Sequence, residues 1–204
     1  MTVHESRFIR PLLRWLAQVV FAVAGWRAVG QPPSTAKYVV IAAPHTSNWD
    51  FLFTLCLAFI YRLQPRIMIK ASWFFWPLGP IFKWVGAIPI DRSRSHDVVA
   101  QSVAAFARAR EMVLVVPPAG TRKRVMRWKT GFYHIAHGAR VPISMGFLDY
   151  RHRVGGFGPI LQTSGDIDAD MRRIRCFYDS IRGKHPLNQS PTSTVIALPD
   201  TVAP

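Results

Sequence analysis

Residues 37–61 read KYVVIAAPHTSNWDFLFTLCLAFIY, and their order decides the architecture. Past Lys37 the next six, Tyr38 to Ala43, are apolar with β-branched Val39, Val40 and Ile41 at their centre, as in a strand buried on both faces. A polar loop follows, holding His45, Thr46, Ser47, Asn48 and Asp50. Residues 51–61 are then apolar at nearly every position and long enough for a buried helix. A strand buried on both faces and followed at once by a helix is the opening unit of a parallel sheet covered on both sides.

The alternation continues outward. Short apolar strands are expected at 66–70 (RIMIK), 87–90, 112–116 (MVLVV) and 141–148, with a sixth at 159–163. Helices are expected at 95–110, 128–138 and 168–181. Segment 72–84 is densely aromatic and broken by Pro77, Gly79 and Pro80. It can line an apolar groove, dip into a bilayer or simply pack in the core. The fold class is α/β, a mostly parallel sheet flanked by helices, with an amphipathic helix at the N-terminus. Residues 1–30 read as the membrane-associating helix, 31–186 as the α/β domain, and 187–204, rich in Pro, Ser and Thr, as a loosely ordered tail.

The 204 residues suffice for a sizeable core without disulfides or metals. Half of them are hydrophobic and 18% are charged, which excludes a disordered chain. Twenty-six Lys and Arg against 11 Asp and Glu give a formal charge of +15. Such a chain is drawn to nucleic acid or to an anionic membrane. Seven Trp and 13 Phe favour the membrane. No helix-turn-helix, ribonucleoprotein or zinc-finger pattern supports nucleic acid as a partner. Cys56 and Cys176 stand alone without metal-ligand spacing and read as reduced core residues, and no metal site is expected.

The apolar stretch 12–26 is interrupted by Arg14 and Gln18 and falls short of the ~20 apolar residues of a spanning helix. It lacks the small-x-small cleavage site of a signal peptide. It reads instead as an interfacial helix, with Trp15 and Trp26 near its ends and Arg7, Arg10 and Arg14 reaching toward lipid phosphates. The alternative is an ordinary helix packed on the core. The expected location is the cytoplasmic face of the cell membrane, peripheral or monotopic.

In α/β folds, loops leaving the carboxyl ends of strands build the sites. Three loops here carry convergent polar groups. In the first, His45 and Asp50 are five apart, about 140° around a regular helix. They meet only if His45 precedes the helix and Asp50 lies in its first turn, with Thr46 or Ser47 as N-cap. Asp50 then fixes one imidazole nitrogen and leaves the other free to take a proton from a hydroxyl. Equally, Ser47-x-x-Asp50 ahead of an apolar run is a capping-box pattern, in which His45 is incidental. In the second loop Arg92 can grip a phosphate with two hydrogen bonds, or sit in a surface Asp-Arg turn. In the third, Gly120 lets the backbone approach a ligand, and Thr121 and Arg122 supply hydrogen bonds and charge. Lys123, Arg124, Arg127 and Lys129 follow without an acid between them, which also describes a solvated basic face.

Taken in order, these segments resemble the glycerolipid acyltransferase family, which includes the 1-acylglycerol-3-phosphate acyltransferases. The family carries His-x-x-x-x-Asp, then Gly-x-(Ile/Val)-x-(Ile/Val)-Asp-Arg, then Phe-Pro-Glu-Gly-Thr-Arg, then Val-Pro-(Ile/Val). This chain has HTSNWD at 45–50, GAIPIDR at 86–92, PPAGTR at 117–122 and VPI at 141–143. The N-terminus and WKTGFYHIA at 128–136 look like a small bacterial branch of the family. The resemblance implies that His45 acts as general base on a lysolipid hydroxyl while Asp50 orients it. The oxygen then attacks the thioester of acyl-CoA or acyl-carrier protein directly, and no further cofactor is implied. Arg92, Gly120, Thr121 and Arg122 would hold the anionic head of a lysophosphatidate-like acceptor, with Lys70 as an additional anion contact.

One position departs from the pattern. Ala119 stands where the family has Glu, and Pro117 where it has Phe. The departure implies a different acceptor or a weakened activity. A lipid-binding protein of the same fold that has lost its chemistry is the rival expectation.

Overall fold

The computed structural model describes residues 9–84, 86–90 and 95–192. Strand β2 (Lys37–Ala43) is buried at five of its seven residues, which places it in the middle of the sheet. It runs parallel to β5 (Met112–Val116) on one side and to β6 (Ile143–Asp149) on the other. Next to β5 lies β3 (Pro65–Lys70), and β4 (Ala87–Ile90) forms the edge, both parallel. Beyond β6 come β7 (Val154–Leu161), antiparallel to it, and β1 (Arg27–Val29), parallel to β7. The sheet order is β1-β7-β6-β2-β5-β3-β4. The expected mostly parallel sheet is therefore present.

Two details differ from the sequence reading. The expected strand at 159–163 starts earlier, at Val154, and runs antiparallel after a tight turn. Strand β1 was not foreseen, because three residues give no periodic signal; its pairing with β7 makes it a strand. Gly156 permits that pairing. It has φ of 151°, and a β-carbon there would sit 1.9 Å from the Val29 carbonyl oxygen.

Side chains alternate across each strand, so the sheet has two apolar faces. Val39, Ile41, Leu114 and Ile143 meet Phe106 of α4 (Ser95–Arg108), Phe132 and Ile135 of α5 (Gly131–Ala139), and Ile174 and Tyr178 of α6 (Ile167–Tyr178). Tyr38, Val40, Val113 and Val115 point the other way. On the side to which Leu148 points, α1 (Ile9–Val23) and α2 (Trp49–Ile60) pack through Ala17, Phe21, Phe53 and Leu57. A short helix, α3 (Leu78–Trp84), follows the aromatic turn at Ala71–Trp73.

Three side-chain expectations are corrected. Trp26 is only 7% exposed and stacks on Phe53 with ring centroids 4.4 Å apart, so it is core rather than a membrane anchor. Arg10 donates to the Arg62 carbonyl at 2.6 Å instead of extending away from the protein. Cys56 is buried as expected, but Cys176 is exposed on α6, because the buried positions of that helix are Asp170, Met171, Ile174 and Tyr178.

Helix α1 packs on the core through Ala17 and Phe21, one helical turn apart. Its remaining surface carries Arg10, Arg14 and Gln18 but is largely apolar: Leu12, Trp15, Leu16, Val19 and Val23 are all exposed. Among the described residues no helix is long and apolar enough to cross a membrane. At the other end of the chain, residues 187–192 begin the segment read as a loose tail. Here Gln189 donates to the Ile181 carbonyl and accepts from the Gly183 amide, and Ser190 accepts from the Val125 amide.

Candidate active site

Because β2, β5 and β3 are parallel neighbours, their carboxyl ends open on one edge of the sheet. The loop after β2 and the loop after β5 leave that edge side by side. Helix α2 begins at Trp49 with Asn48 as its N-cap, and no side chain caps it at that position. The capping expected at Ser47 is made one residue ahead of that N-cap: Ser47 Oγ accepts from the Trp49 amide at 3.2 Å. Asp50, in the first turn, reaches back as well. Its Oδ2 accepts from the Thr46 amide at 2.7 Å and the Ser47 amide at 2.9 Å, and lies 3.1 Å from His45 Nδ1. Capping and histidine orientation, alternatives in the sequence, are both performed by one oxygen.

The electrostatics follow from this arrangement. Burial pushes the Asp50 carboxyl up, but hydrogen bonds from His45, Tyr150 and the Ser47 and Thr46 amides outweigh it and hold the group below its ordinary range. Asp50 therefore stays ionised and can only accept. The His45 proton then sits on Nδ1, and Nε2 keeps its lone pair. The His45 side chain is 28% exposed, so that lone pair is open to a reactant.

His45 lies between two cavities. The first is a cavity of about 60 Å³ that also touches Asp50. Its walls are mostly apolar, with Val40, Val113 and Val115 from the sheet, Leu57 and Ala58 from α2, and Phe157 from β7. The second is smaller and is bounded by His45, Thr46, Pro118, Ala119, Trp128 and Gln189, among others.

The loop after β5 turns at Gly120, whose amide donates to the Pro117 carbonyl. Its φ is 66°, a left-handed value that favours glycine, and a β-carbon there would meet Lys129 at 3.5 Å. The Lys129 amide donates to the Pro118 carbonyl and ties the basic run back to the loop. Of the sequence candidates, the structure brings His45 and Asp50 together and sets Ala119 in the cavity beside them. Thr121 and Arg122 are exposed and line neither cavity. Lys70 closes β3 at the same edge of the sheet, and its side chain lies outside the described structure. Arg92 lies outside the described residues. Among the described residues no group of three His, Cys, Asp or Glu gathers to hold a metal.

Two contributors escaped the sequence reading. Tyr150, in the turn after β6, donates its hydroxyl to Asp50 Oδ1 at 2.7 Å. Segment 182–190 folds over the first loop: the His185 amide donates to Thr46 Oγ1, and Lys184 Nζ lies 5.6 Å from the Trp49 ring centre and 5.7 Å from that of Tyr150. No spacing links either to His45, since both arrive through tertiary folding more than 100 residues downstream.

The acyltransferase family model matches residues 5–144. Among solved structures the chain is similar to the 1-acyl-sn-glycerophosphate (LPA) acyltransferase PlsC from Thermotoga maritima. The match has a TM-score of 0.58 at 12% identity and covers 82% of this chain and 77% of that one. At that identity the likeness speaks for the fold. None of the curated proteins matches the chain's sequence.

Proposed function

Because this chain belongs to the acyltransferase family, we propose that it moves an acyl chain from a thioester of CoA or carrier protein to the hydroxyl of a lysophosphatidate-like acceptor at a membrane surface. One observation carries the reading: an imidazole whose Nδ1 lies 3.1 Å from a buried carboxylate lines an apolar cavity. The apolar lining suits acyl-chain carbons, and the Nε2 of a neutral imidazole suits a hydroxyl proton.

In the proposed reaction, Nε2 of His45 takes the acceptor's hydroxyl proton as its oxygen attacks the thioester carbon. The carbon–sulfur bond breaks, and the imidazolium returns the proton to the departing thiolate. Asp50 stabilises the imidazolium between these steps. The basic run 122–129 offers charge to an anionic head group, and the exposed apolar residues of α1, Trp15 foremost, suit the lipid interface. No cofactor is proposed beyond the donor thioester.

The test is transfer of labelled acyl chains from palmitoyl-CoA to lysophosphatidate in vesicles. The wild type forms phosphatidate, and His45→Ala loses it by about 10²-fold or more while remaining folded. A folded His45→Ala protein of undiminished activity overturns the mechanism. Thioester binding without turnover on a panel of lysolipids supports the non-catalytic lipid-binding alternative.

A further inference from the structure

We propose that Tyr150 is a positioning residue for the His45–Asp50 pair, its hydroxyl fixing the second oxygen of Asp50 so that the first stays turned toward the imidazole. The catalytic consequence rests on the reading of His45 as general base; the geometric claim does not.

The argument begins with the carboxylate. Asp50 Oδ2 meets three donors, the Thr46 and Ser47 amides and His45 Nδ1, whereas Oδ1 receives the Tyr150 hydroxyl at 2.7 Å. The carboxylate torsion is broad, and its two oxygens are chemically alike. A strong donor on Oδ1 resists rotation, because turning the group would break bonds at both oxygens together. Tyr150 is itself held from several sides. Trp26 meets its ring edge-on at 4.8 Å and Phe53 at 6.1 Å, and the two stack on each other. The Tyr150 amide donates to the Arg182 carbonyl. Neighbouring Asp149 accepts from the Arg151 amide at 3.0 Å and pairs with His152 at 2.7 Å, which fastens the turn. The hydroxyl is thus aimed by the turn after β6 and by the aromatic packing where α1 joins the core. Burial, followed by the hydrogen bond to Asp50 and that group's charge, pushes the Tyr150 phenol far above its ordinary range, so it remains a donor.

The test combines a substrate-independent measurement with a kinetic one. Tyr150→Phe keeps the ring and removes only the hydroxyl. In ¹⁵N-histidine-labelled protein, the His45 Nδ1 proton is identified by its loss in His45→Ala. Its exchange with water should be about tenfold faster in Tyr150→Phe. In transfer from palmitoyl-CoA to lysophosphatidate, kcat should fall about tenfold with KM within about twofold. An unchanged exchange rate overturns the proposal whatever the activity. Absence of transfer in the wild type counts against the acceptor assignment alone, because the exchange measurement still decides the role of Tyr150. If Tyr150→Phe fails to fold, the wild type gives the answer through its Tyr150 hydroxyl proton. Slow exchange with water supports the proposal, and exchange as fast as a solvent-exposed phenol overturns it.

Discussion

Ala119 and His45 line the same cavity, although 74 positions separate them and neither belongs to a strand or helix. The parallel pairing of β2 with β5 brings their loops together. At Ala119, where the resembled family pattern has a carboxylate, this cavity has a methyl group. Ala119→Glu should therefore raise turnover on lysophosphatidate if the site is merely weakened. Unchanged turnover in a folded variant would mean that the acceptor is a different lipid.

Asp50 carries a prediction about acid stability. Its carboxyl is held below the ordinary value of 3.8 in the folded protein. The ionised form therefore contributes stability above that pH, and the contribution is lost as pH falls through the lower, folded value. Wild type and Asp50→Asn should differ by a constant amount near neutral pH. The gap should narrow below about pH 4, as the wild-type carboxylate takes up its proton. Urea unfolding of both proteins across the acid range measures this, and a gap that stays level from pH 6 to about pH 2 contradicts it.

Asp50→Asn also separates orientation from packing. The amide is close to isosteric but presents both a donor and an acceptor, so it no longer enforces a proton on His45 Nδ1. A fall in kcat of about 10²- to 10⁴-fold is expected at a temperature where both proteins remain folded, so the stability gap does not account for it. Melting curves and acyl-transfer kinetics on the same preparation check it.

Trp15 and Trp26 lie eleven positions apart in one apolar stretch, yet their environments are opposite. Trp15 is 58% exposed and Trp26 is 7% exposed. Trp26→Ala should cost about 3–5 kcal/mol, because it empties the aromatic contact with Phe53 and Tyr150. Trp15→Ala should change stability by no more than about 0.5 kcal/mol. Chemical denaturation distinguishes the two.

Trp15 and Val19, both exposed on α1, test membrane attachment. Trp15→Ser combined with Val19→Ser removes exposed apolar surface from α1 without touching its buried Ala17 and Phe21. Sedimentation with anionic vesicles should show markedly weaker binding than the wild type, and the remainder should decline as salt screens the basic charge. Equal co-sedimentation of both proteins rules out α1 as the contact.

Sequence alone determined the alternation of strands and helices, the burial of strand 37–43, and the candidacy of His45 and Asp50. These are legible because apolar periodicity and short-range spacing are local properties that survive in one dimension. Its limit shows at Trp26, where a hydrophobic residue next to a glycine gave no sign of which side of α1 would be covered. The tertiary structure decided that Trp26 is core, that α1 leaves large apolar side chains exposed, and that β1 exists through pairing with β7. It also supplied Tyr150 to Asp50 from 100 positions away and laid segment 182–190 against Thr46. Contacts of this kind depend on where parallel strands and crossing loops deliver their ends in space, and no local pattern encodes that.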